Sequence, residues 1–191
     1  MSEPLLSEVD AVEGNAAGHV RRQDRVASVT LRPVEPDDEP FLYQLYCSTR
    51  AEEIAAFGWD AAQQDAFLQL QFRGQQRHYQ VQQLDVDSRV ILQDARPIGQ
   101  FIVMRSDREI RLADIALLPQ YRSFGIGTVL IGALFAEARA SGRPVTLHVE
   151  KSSRAVRFYE RLGFVRTDET GFHYKMEWQP EALAGCNVRT L

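Results

Sequence analysis

The sequence predicts a single α+β domain with a mixed, mostly antiparallel sheet of about six or seven strands and helices on both faces. Three observations predict this class. The middle of the chain has several short strands separated by turns, which is typical of an antiparallel meander. The second half alternates strand, helix, strand, helix and strand, an order typical of a mixed sheet. A length of 191 residues is sufficient for one domain with a proper core.

Composition and charge are ordinary for a globular protein. Apolar residues make up 45% of the chain and the net charge is −4, so nothing favours nucleic acid or a membrane surface as a partner. No apolar run approaches the roughly 20 residues of a membrane helix, and the acidic N-terminus lacks the order of a signal peptide. Cys47 and Cys186 lie far apart and show no metal or redox spacing. We therefore expect a cytoplasmic protein with free thiols and no bound metal.

The first part of the chain predicts an extension, one strand and two helices. Residues 1–27 are polar, rich in Gly, Ala and Glu, and without periodicity, so we expect a flexible extension. A short strand is predicted at 28–32. The acidic, proline-containing run 36–40 indicates a helix start, and apolar residues then recur at helical spacing to about Arg50. A second helix is predicted from about Asp60 to Arg73, because Gly74 is typical of a helix end.

The middle of the chain predicts the meander. Its apolar and β-branched runs are separated by short polar segments that have the composition of turns, Asp-Ala-Arg-Pro and Ser-Asp-Arg-Glu among them. Strands are expected, in order, at 79–84, 89–93, 98–105 and 110–118.

The second half predicts two helices between strands. The first helix follows Gly127 and ends before Gly142 and Pro144. An alternating strand is expected at 145–150, and Ser152 or Ser153 caps the next helix. Gly163 is its predicted left-handed stop, and the last expected elements are a strand at 173–178 and a tail at 179–191.

The stretch 112–134 has the features of an anion site. A strand ending in Leu-Leu-Pro passes through the glycine-bearing turn 120–127 into an amphipathic helix. In such a turn several backbone N–H groups converge on one point, and the helix dipole adds partial positive charge there. Arg122 adds a full charge, while Gly125 and Gly127 lack the Cβ atoms that would keep a diphosphate away from the backbone. A P-loop is excluded, because Thr128 stands where that motif has lysine.

Two blocks of sequence carry a resemblance to a known family. Residues 122–127 match R/Q-x-x-G-x-G/A, and this segment resembles the pyrophosphate loop of the GNAT superfamily of acyl-CoA-dependent N-acyltransferases. About 25 residues later, 152–164 is similar to the family pattern N-x-x-A-x-x-[FL]-Y-x-x-x-G-F, with Ser152 where the family commonly has Asn. Two matches in the right order are much harder to obtain by chance than one. The resemblance implies a GNAT-like domain at 28–178, and it is weak in the first half.

The resemblance also implies a set of functional residues. Acetyl-CoA is the expected co-substrate, Tyr159 the expected proton donor to the leaving thiolate, and the Leu117 backbone N–H the expected oxyanion donor. The residues expected to contact CoA are Ala116, Leu117, Arg122, Ser123, Phe124, Gly125, Ile126, Gly127, Thr128, Ser152 and Phe158.

The chemistry requires a proton acceptor as well. An alkyl amine has a pKa near 10.4, so it is about 99.9% protonated at pH 7 and must lose a proton before it attacks. Asp114 and Glu150 lie on the two strands expected to flank the acyl group, and His148 shares the face of Glu150. Each of the three is equally typical of a solvated or ion-paired strand residue, so the base stays open.

The acceptor site is the least determined part of the sequence. His78, Tyr79 and Trp59 are candidates for lining it, although aromatic residues in these places are more often part of the core. Cys47 lacks a neighbouring residue that would activate it as a covalent acyl carrier. We therefore expect direct attack on the thioester in a ternary complex.

Three hypotheses for the function remain. The leading one is transfer of an acetyl group from acetyl-CoA to a primary amine, in a small molecule or a peptide. The second is a CoA-binding sensor or inactive relative, which the serine at position 152 and the absence of an unambiguous base favour. The third is transfer of a larger acyl group, or transfer to a protein N-terminus. A homodimer is compatible with the exposed edges of a mixed sheet.

Overall fold

The computed structural model describes residues 28–81 and 85–180, and for residue 52 and residues 78–81 it describes the backbone alone. The predicted extension 1–27 and residues 181–191 of the predicted tail lie outside the described residues.

The described chain forms seven strands and four α-helices. The strands are β1 (Val29–Pro33), β2 (Asp85–Gln93), β3 (Arg96–Arg105), β4 (Ile110–Leu117), β5 (Val145–Glu150), β6 (Val165–Thr170) and β7 (His173–Trp178). The helices are α1 (Glu39–Ala55), α2 (Ala61–Val81), α3 (Ile126–Ser141) and α4 (Ala155–Arg161), and short 3-10 turns lie at Pro36–Asp38 and Pro119–Tyr121.

The strands form one sheet in the order β1-β2-β3-β4-β5-β7-β6. Every neighbouring pair is antiparallel except β4 and β5, which are parallel. The predicted class, a mixed and mostly antiparallel sheet with helices, is confirmed. Within the described ranges, no helix combines the length and the apolar character needed to cross a bilayer.

The start of α1 is fixed by an ion pair between Arg32 and the buried Asp38. The side chain of Asp38 receives hydrogen bonds from Arg32 at 2.6 Å and from the backbone N–H of Glu35 at 2.8 Å. The hydrogen bonds from the Arg32 guanidinium are the main reason that the pKa of Asp38 lies below its ordinary value. This pair ties β1 to the first helix. The helix extends past the predicted end at Arg50, because Ile54 is buried with Leu42 and Phe72.

The predicted end of the second helix is wrong. Helix α2 continues through Gly74 to Val81, so residues 79–81 are helical and not the start of a strand. A glycine in a helix interior costs only about 1 kcal/mol relative to alanine, which does not oblige a helix to end. Leu68 and Phe72 hold α2 against α1. The remaining residues of that predicted strand, 82–84, lie outside the described residues.

The predicted turn at 94–97 is shorter than expected, because β3 already begins at Arg96. Asp94 and Ala95 have φ values of 49° and 63°, which make a two-residue hairpin turn. The predicted connection 85–88 is part of β2, where Asp87 forms an ion pair with Arg105 at 3.1 Å.

Helices cover both faces of the sheet. Helices α3 and α4 contribute Leu130, Ile131, Leu134, Val156 and Tyr159 to a large buried cluster with Leu112, Leu147 and Met176. Helices α1 and α2 form a second cluster, and α1 lies over β3 and β4. Gly142 and Gly163 have φ values of 69° and 94°, as expected for the residues that end α3 and α4.

Strand β6 is absent from the predicted elements. Its sequence, Val-Arg-Thr-Asp-Glu-Thr, is exposed at every position. It therefore lacks the alternation of apolar and polar residues that identifies a half-buried strand. Pairing with β7 at the edge of the sheet makes it a strand.

Candidate active site

A gap opens between β4 and β5. The two strands pair only from Ile110 to Leu112, opposite Val145 to Leu147, although β4 continues to Leu117 and β5 to Glu150. The register between β3 and β4 shifts directly after Leu112, which leaves Ala113 as the extra residue of a β-bulge. A bulge bends its strand and increases its twist. The carboxyl ends of β4 and β5 therefore diverge.

The backbone of Leu117 faces this gap. Leu118 donates its N–H to the Ile98 carbonyl at 2.9 Å, so Leu118 points toward β3. Successive residues of an antiparallel strand direct their N–H and C=O groups to opposite sides. Leu117, one residue earlier, therefore directs both groups away from β3. Its carbonyl indeed accepts a hydrogen bond from Nε of Arg122 at 2.8 Å.

The segment between β4 and α3 leads into a helix whose first N–H groups have no acceptor within the helix. Ser123 and Gly125 both have left-handed φ values, 66° and 91°, which turn the chain into the helix. The first intrahelical hydrogen bond of α3 runs from Val129 to the Gly125 carbonyl at 3.1 Å. The N–H groups at 126–128 thus lie in the first turn, where a helix has no internal acceptors and its dipole is positive. Glycine at the N-cap leaves this turn without a side-chain cap.

The two loop glycines have different roles. A Cβ at Gly125 would point into open space, so this position requires glycine for its left-handed φ and leaves the backbone accessible. A Cβ at Gly127 would lie 3.3 Å from Cζ of Phe158 and 3.6 Å from Cδ1 of Ile115. The expectation that Gly127 clears room for a diphosphate is therefore wrong. This glycine lets α3 pack closely against α4 and β4.

Tyr159 lies on α4, on the side of the sheet that α3 covers. Its side chain is only 8% exposed and packs edge-on against the ring of Phe164, with centroids 5.7 Å apart. Burial, and then the negative charge of Asp114, raise the pKa of the phenol above its ordinary value of 10.0. The hydroxyl is therefore protonated at neutral pH. The charge of Asp114, on strand β4, therefore acts on the phenol of Tyr159.

Asp114 follows the bulge on β4. Burial raises the pKa of its carboxyl from 3.8 to about 6, while the Ile115 backbone N–H and the positive charge of Arg50 act in the opposite direction. A carboxylate with this pKa is ionised at neutral pH and is still a stronger base than an ordinary aspartate. It combines the two properties that a general base requires.

Comparison with known proteins identifies the family. The family model of the acetyltransferase (GNAT) domain matches residues 52–182, which is more than half of the chain. The chain belongs to the GNAT acetyltransferase family. The resemblance seen in the loop and in the Tyr159 block is thereby confirmed.

Similar proteins carry the same description. An uncharacterized N-acetyltransferase of Mycobacterium tuberculosis is 34% identical over 92 residues, which is 44% of this chain and 59% of that protein. A ribosomal-protein-alanine N-acetyltransferase of Haemophilus influenzae is 32% identical over 79 residues, 41% of this chain and 54% of that protein. The chain thus spans little more than half the length of these curated relatives.

A solved structure has the same fold. The PaiA N-acetyltransferase of Thermoplasma acidophilum, in complex with coenzyme A, is similar with a TM-score of 0.61 and 18% identity. The similarity covers 80% of this chain and 99% of that chain.

The remaining CoA-contact candidates of this GNAT domain lie around the loop. Ala116 and Phe124 are half-buried, Thr128 is exposed, and the side chain of Ile126 is buried, so Ile126 offers only its backbone. Phe158 is half-buried and packs on the core below the loop. Ser152 is exposed, whereas Oγ of Ser153 accepts a hydrogen bond from Ala155 N–H at 3.2 Å. The predicted cap at Ser152 or Ser153 is therefore wrong: the N-cap of α4 is Arg154, and Ser153 only accepts a hydrogen bond from the first helical N–H.

The other base candidates differ from Asp114. His148 is exposed and its Nδ1 lies 2.9 Å from Nη2 of Arg111, which makes it a partner within a surface pair. Partial desolvation of the ring and then the neighbouring positive charges lower the pKa of His148. Glu150 is exposed at the end of β5, opposite His173. Its role as a base stays a prediction.

The predicted acceptor residues lie on the helical side of the domain. Trp59 stacks on Phe57 at 4.9 Å in the loop between α1 and α2, and Phe67 packs against it edge-on at 5.2 Å. His78 and Tyr79 belong to the last turns of α2, not to a segment before a strand, and their side chains lie outside the described ones. Their role as lining residues stays a prediction.

Two residues of the site have no motif in the sequence. Arg50 acts on Asp114 from α1, and only the packing of α1 over β4 brings it there. Gly99 pairs with Leu117, and a Cβ at this position would lie 2.3 Å from the Ala116 carbonyl oxygen. A single glycine in a strand pattern is a signal for such a close approach, whereas nothing marks Arg50.

Proposed function

We propose that this GNAT domain transfers an acetyl group from acetyl-CoA to a primary amine by direct attack in a ternary complex. One observation carries the proposal. The charge of Asp114 reaches the phenol of Tyr159, and the Leu117 backbone points into the gap between β4 and β5. These observations support a site that combines a proton acceptor, a hydrogen-bond donor and an oxyanion donor.

The loop residues fit the diphosphate of CoA. The first-turn N–H groups at 126–128 present partial positive charge, and open space beside Gly125 leaves the backbone accessible to a phosphate. Arg122 adds a full charge and is held beside Leu117 by its hydrogen bond. When bound, acetyl-CoA supplies the activated thioester. The divergence of β4 and β5 leaves room for the arm that carries it.

Asp114 begins the reaction. It accepts a proton from the substrate ammonium, directly or through a water, because an ammonium cannot attack a carbonyl. With a pKa of about 6 it is ionised at neutral pH and ready to accept. The freed amine nitrogen then forms a bond to the thioester carbonyl carbon.

Leu117 and Tyr159 act on the charges that develop next. The Leu117 N–H donates a hydrogen bond to the carbonyl oxygen as it becomes negative. The Tyr159 hydroxyl donates to the sulfur as the carbon–sulfur bond breaks and the amide forms. The ammonium loses two protons in all. One reaches the thiolate to give free CoA, and the other leaves through Asp114 to solvent.

The experiment is release of CoA thiol from acetyl-CoA in the presence of a panel of primary amines. Thiol release that depends on an amine, with an N-acetylated product of matching mass, supports transfer. Stabilisation of the protein by acetyl-CoA without thiol release for any amine would instead support the sensor alternative. Acetyl-CoA at 100 times a micromolar Kd should stabilise the fold by about 2.7 kcal/mol.

A further inference from the structure

A groove on the helical side of the domain has one arginine, Arg50, among the described residues that line it. The groove lies between α1 and α2, has a cavity volume of about 440 Å³ and is lined by Tyr46, Arg50, Leu70, Gln71, Gly74 and Gln75. Sites for small molecules range from about 300 to 1,000 Å³. The groove is therefore suited to a small substrate.

One N–H donor of the Arg50 guanidinium, Nε, lacks a hydrogen-bond partner within the described part of the chain. It lies 4.5 Å from the centre of the Tyr46 ring, and its nearest acid, Glu53, is 3.8 Å from Nη1, beyond hydrogen-bond distance. Nε is buried and has no hydrogen-bond partner among the described residues. A guanidinium has five N–H donors, and a carboxylate or phosphate binds its edge through two parallel hydrogen bonds. Arg50 thus offers an edge that an anionic group would complete.

Arg50 and Asp114 carry opposite charges on two elements that pack together, α1 and β4. The positive charge of Arg50 reaches Asp114 and lowers the pKa of its carboxyl. A ligand that spans the two would carry a cation at one end and an anion at the other. A second positive charge on the substrate would instead be repelled by Arg50.

We propose that the acceptor amine is a small zwitterion, an amino acid or an analogue of one, whose anionic group is bound by Arg50 and whose amino group reaches Asp114. This inference rests on the proposed transferase function. It narrows the substrate class from primary amines in general to amines that carry a carboxylate or a similar anion.

The test compares acids with their amides. CoA thiol release is measured with glycine, β-alanine and 4-aminobutyrate, each against its amide, at saturating acetyl-CoA. We expect kcat/KM at least tenfold higher for the best acid than for its amide. The amino groups of the amides lose a proton more readily, so amine reactivity alone favours the amides. The three chain lengths cover different separations of the two charges.

Two variants locate the effect. Arg50→Gln should reduce the acid-to-amide ratio to near one, mainly through a higher KM for the acid. Arg73→Gln replaces an exposed arginine on the other side of α2 and should leave the ratio unchanged. Circular dichroism checks the fold of both. If Arg50→Gln fails to fold, the ratio for the unaltered protein decides alone.

The outcomes separate this inference from the proposed function. Equal or faster turnover of the amides overturns the inference and leaves the transferase in place. Faster turnover of spermidine or of a peptide with a blocked C-terminus than of every amino acid also overturns it. No thiol release from any amine refutes both proposals.

Discussion

Replacing Asp114 by Asn should abolish catalysis and at the same time stabilise the fold at neutral pH. The substitution keeps the shape of the side chain and removes its charge. As a base, Asp114 is needed in the ionised form, but its burial penalises that form. We therefore expect Asp114→Asn to lose activity and to gain stability.

The magnitude follows from the pKa. The folded state keeps the proton of Asp114 up to pH about 6, and the unfolded chain keeps it only to about 3.8. Between pH 3.8 and pH 6 the folded protein holds a proton on Asp114 that the unfolded chain has lost. The contribution of this group to the free energy of unfolding is therefore complete below pH 3.8 and is lost as the pH rises through about 6. At about 1.4 kcal/mol for each pH unit, the loss approaches 3 kcal/mol at neutral pH. The uncharged Asn side chain does not have this loss of stability, although it also lacks the attraction between Asp114 and Arg50.

Urea unfolding of both proteins at several pH values measures the effect. We expect the free energy of unfolding of Asp114→Asn to exceed that of the unaltered protein by about 2–3 kcal/mol at pH 7.5, and the difference to vanish near pH 4. The exposed Asp107→Asn in the β3–β4 turn is the matched control and should show no such trend. A difference that does not vary with pH would refute the raised pKa. Thiol release by Asp114→Asn at the rate of the unaltered protein would remove Asp114 as the base.

Three further predictions address the rest of the site. Tyr159→Phe should lower kcat about 100-fold and leave the Kd for CoA within twofold, because it removes only the hydroxyl; unchanged kcat would exclude Tyr159 as the donor. Arg122→Ala should raise the Kd for CoA about tenfold by calorimetry, whereas Arg108→Ala, in the β3–β4 turn, should not; equal Kd values for the two variants would contradict the role of Arg122. Gly99→Ala should cost more than about 2 kcal/mol of unfolding free energy, because its Cβ would lie 2.3 Å from the Ala116 carbonyl oxygen, while Gly132→Ala, in open space on α3, should stabilise by about 0.5–1 kcal/mol. Similar melting temperatures for the two glycine variants would show that β3 and β4 can move apart at Gly99 at little cost in stability.

The second half of the chain could be predicted from sequence because its signals are local. Gly142 and Gly163 end α3 and α4 through their own left-handed backbone. The strand 145–150 shows its alternation directly. The first half depends on contacts between distant segments, so Gly74 suggested a helix end that the packing of α2 on α1 overrides. Strand β6 exists only because β7 pairs with it.

The same division applies to the candidate site. The loop at 122–127, which we propose binds CoA, is a local structure, and its glycines and arginine are visible as a motif. The role of Gly127 could not be predicted, because it depends on Phe158, which belongs to a different helix. The influence of Arg50 on Asp114 could not be predicted either, because it depends on the packing of α1 over β4.

The position of Arg50 also suggests why the first half of the chain has no recognisable family motif. The diphosphate and the thioester are the same for every acetyl-CoA-dependent enzyme, so a loop and one helix can recognise them. The acceptor differs between enzymes, and the residues proposed to face it here come from α1 and α2. Replacing Arg50 should therefore change which amine is acetylated and leave the Kd for CoA unaltered. Loss of CoA affinity in Arg50→Gln would mean that the helical half and the CoA loop are not separable in this way.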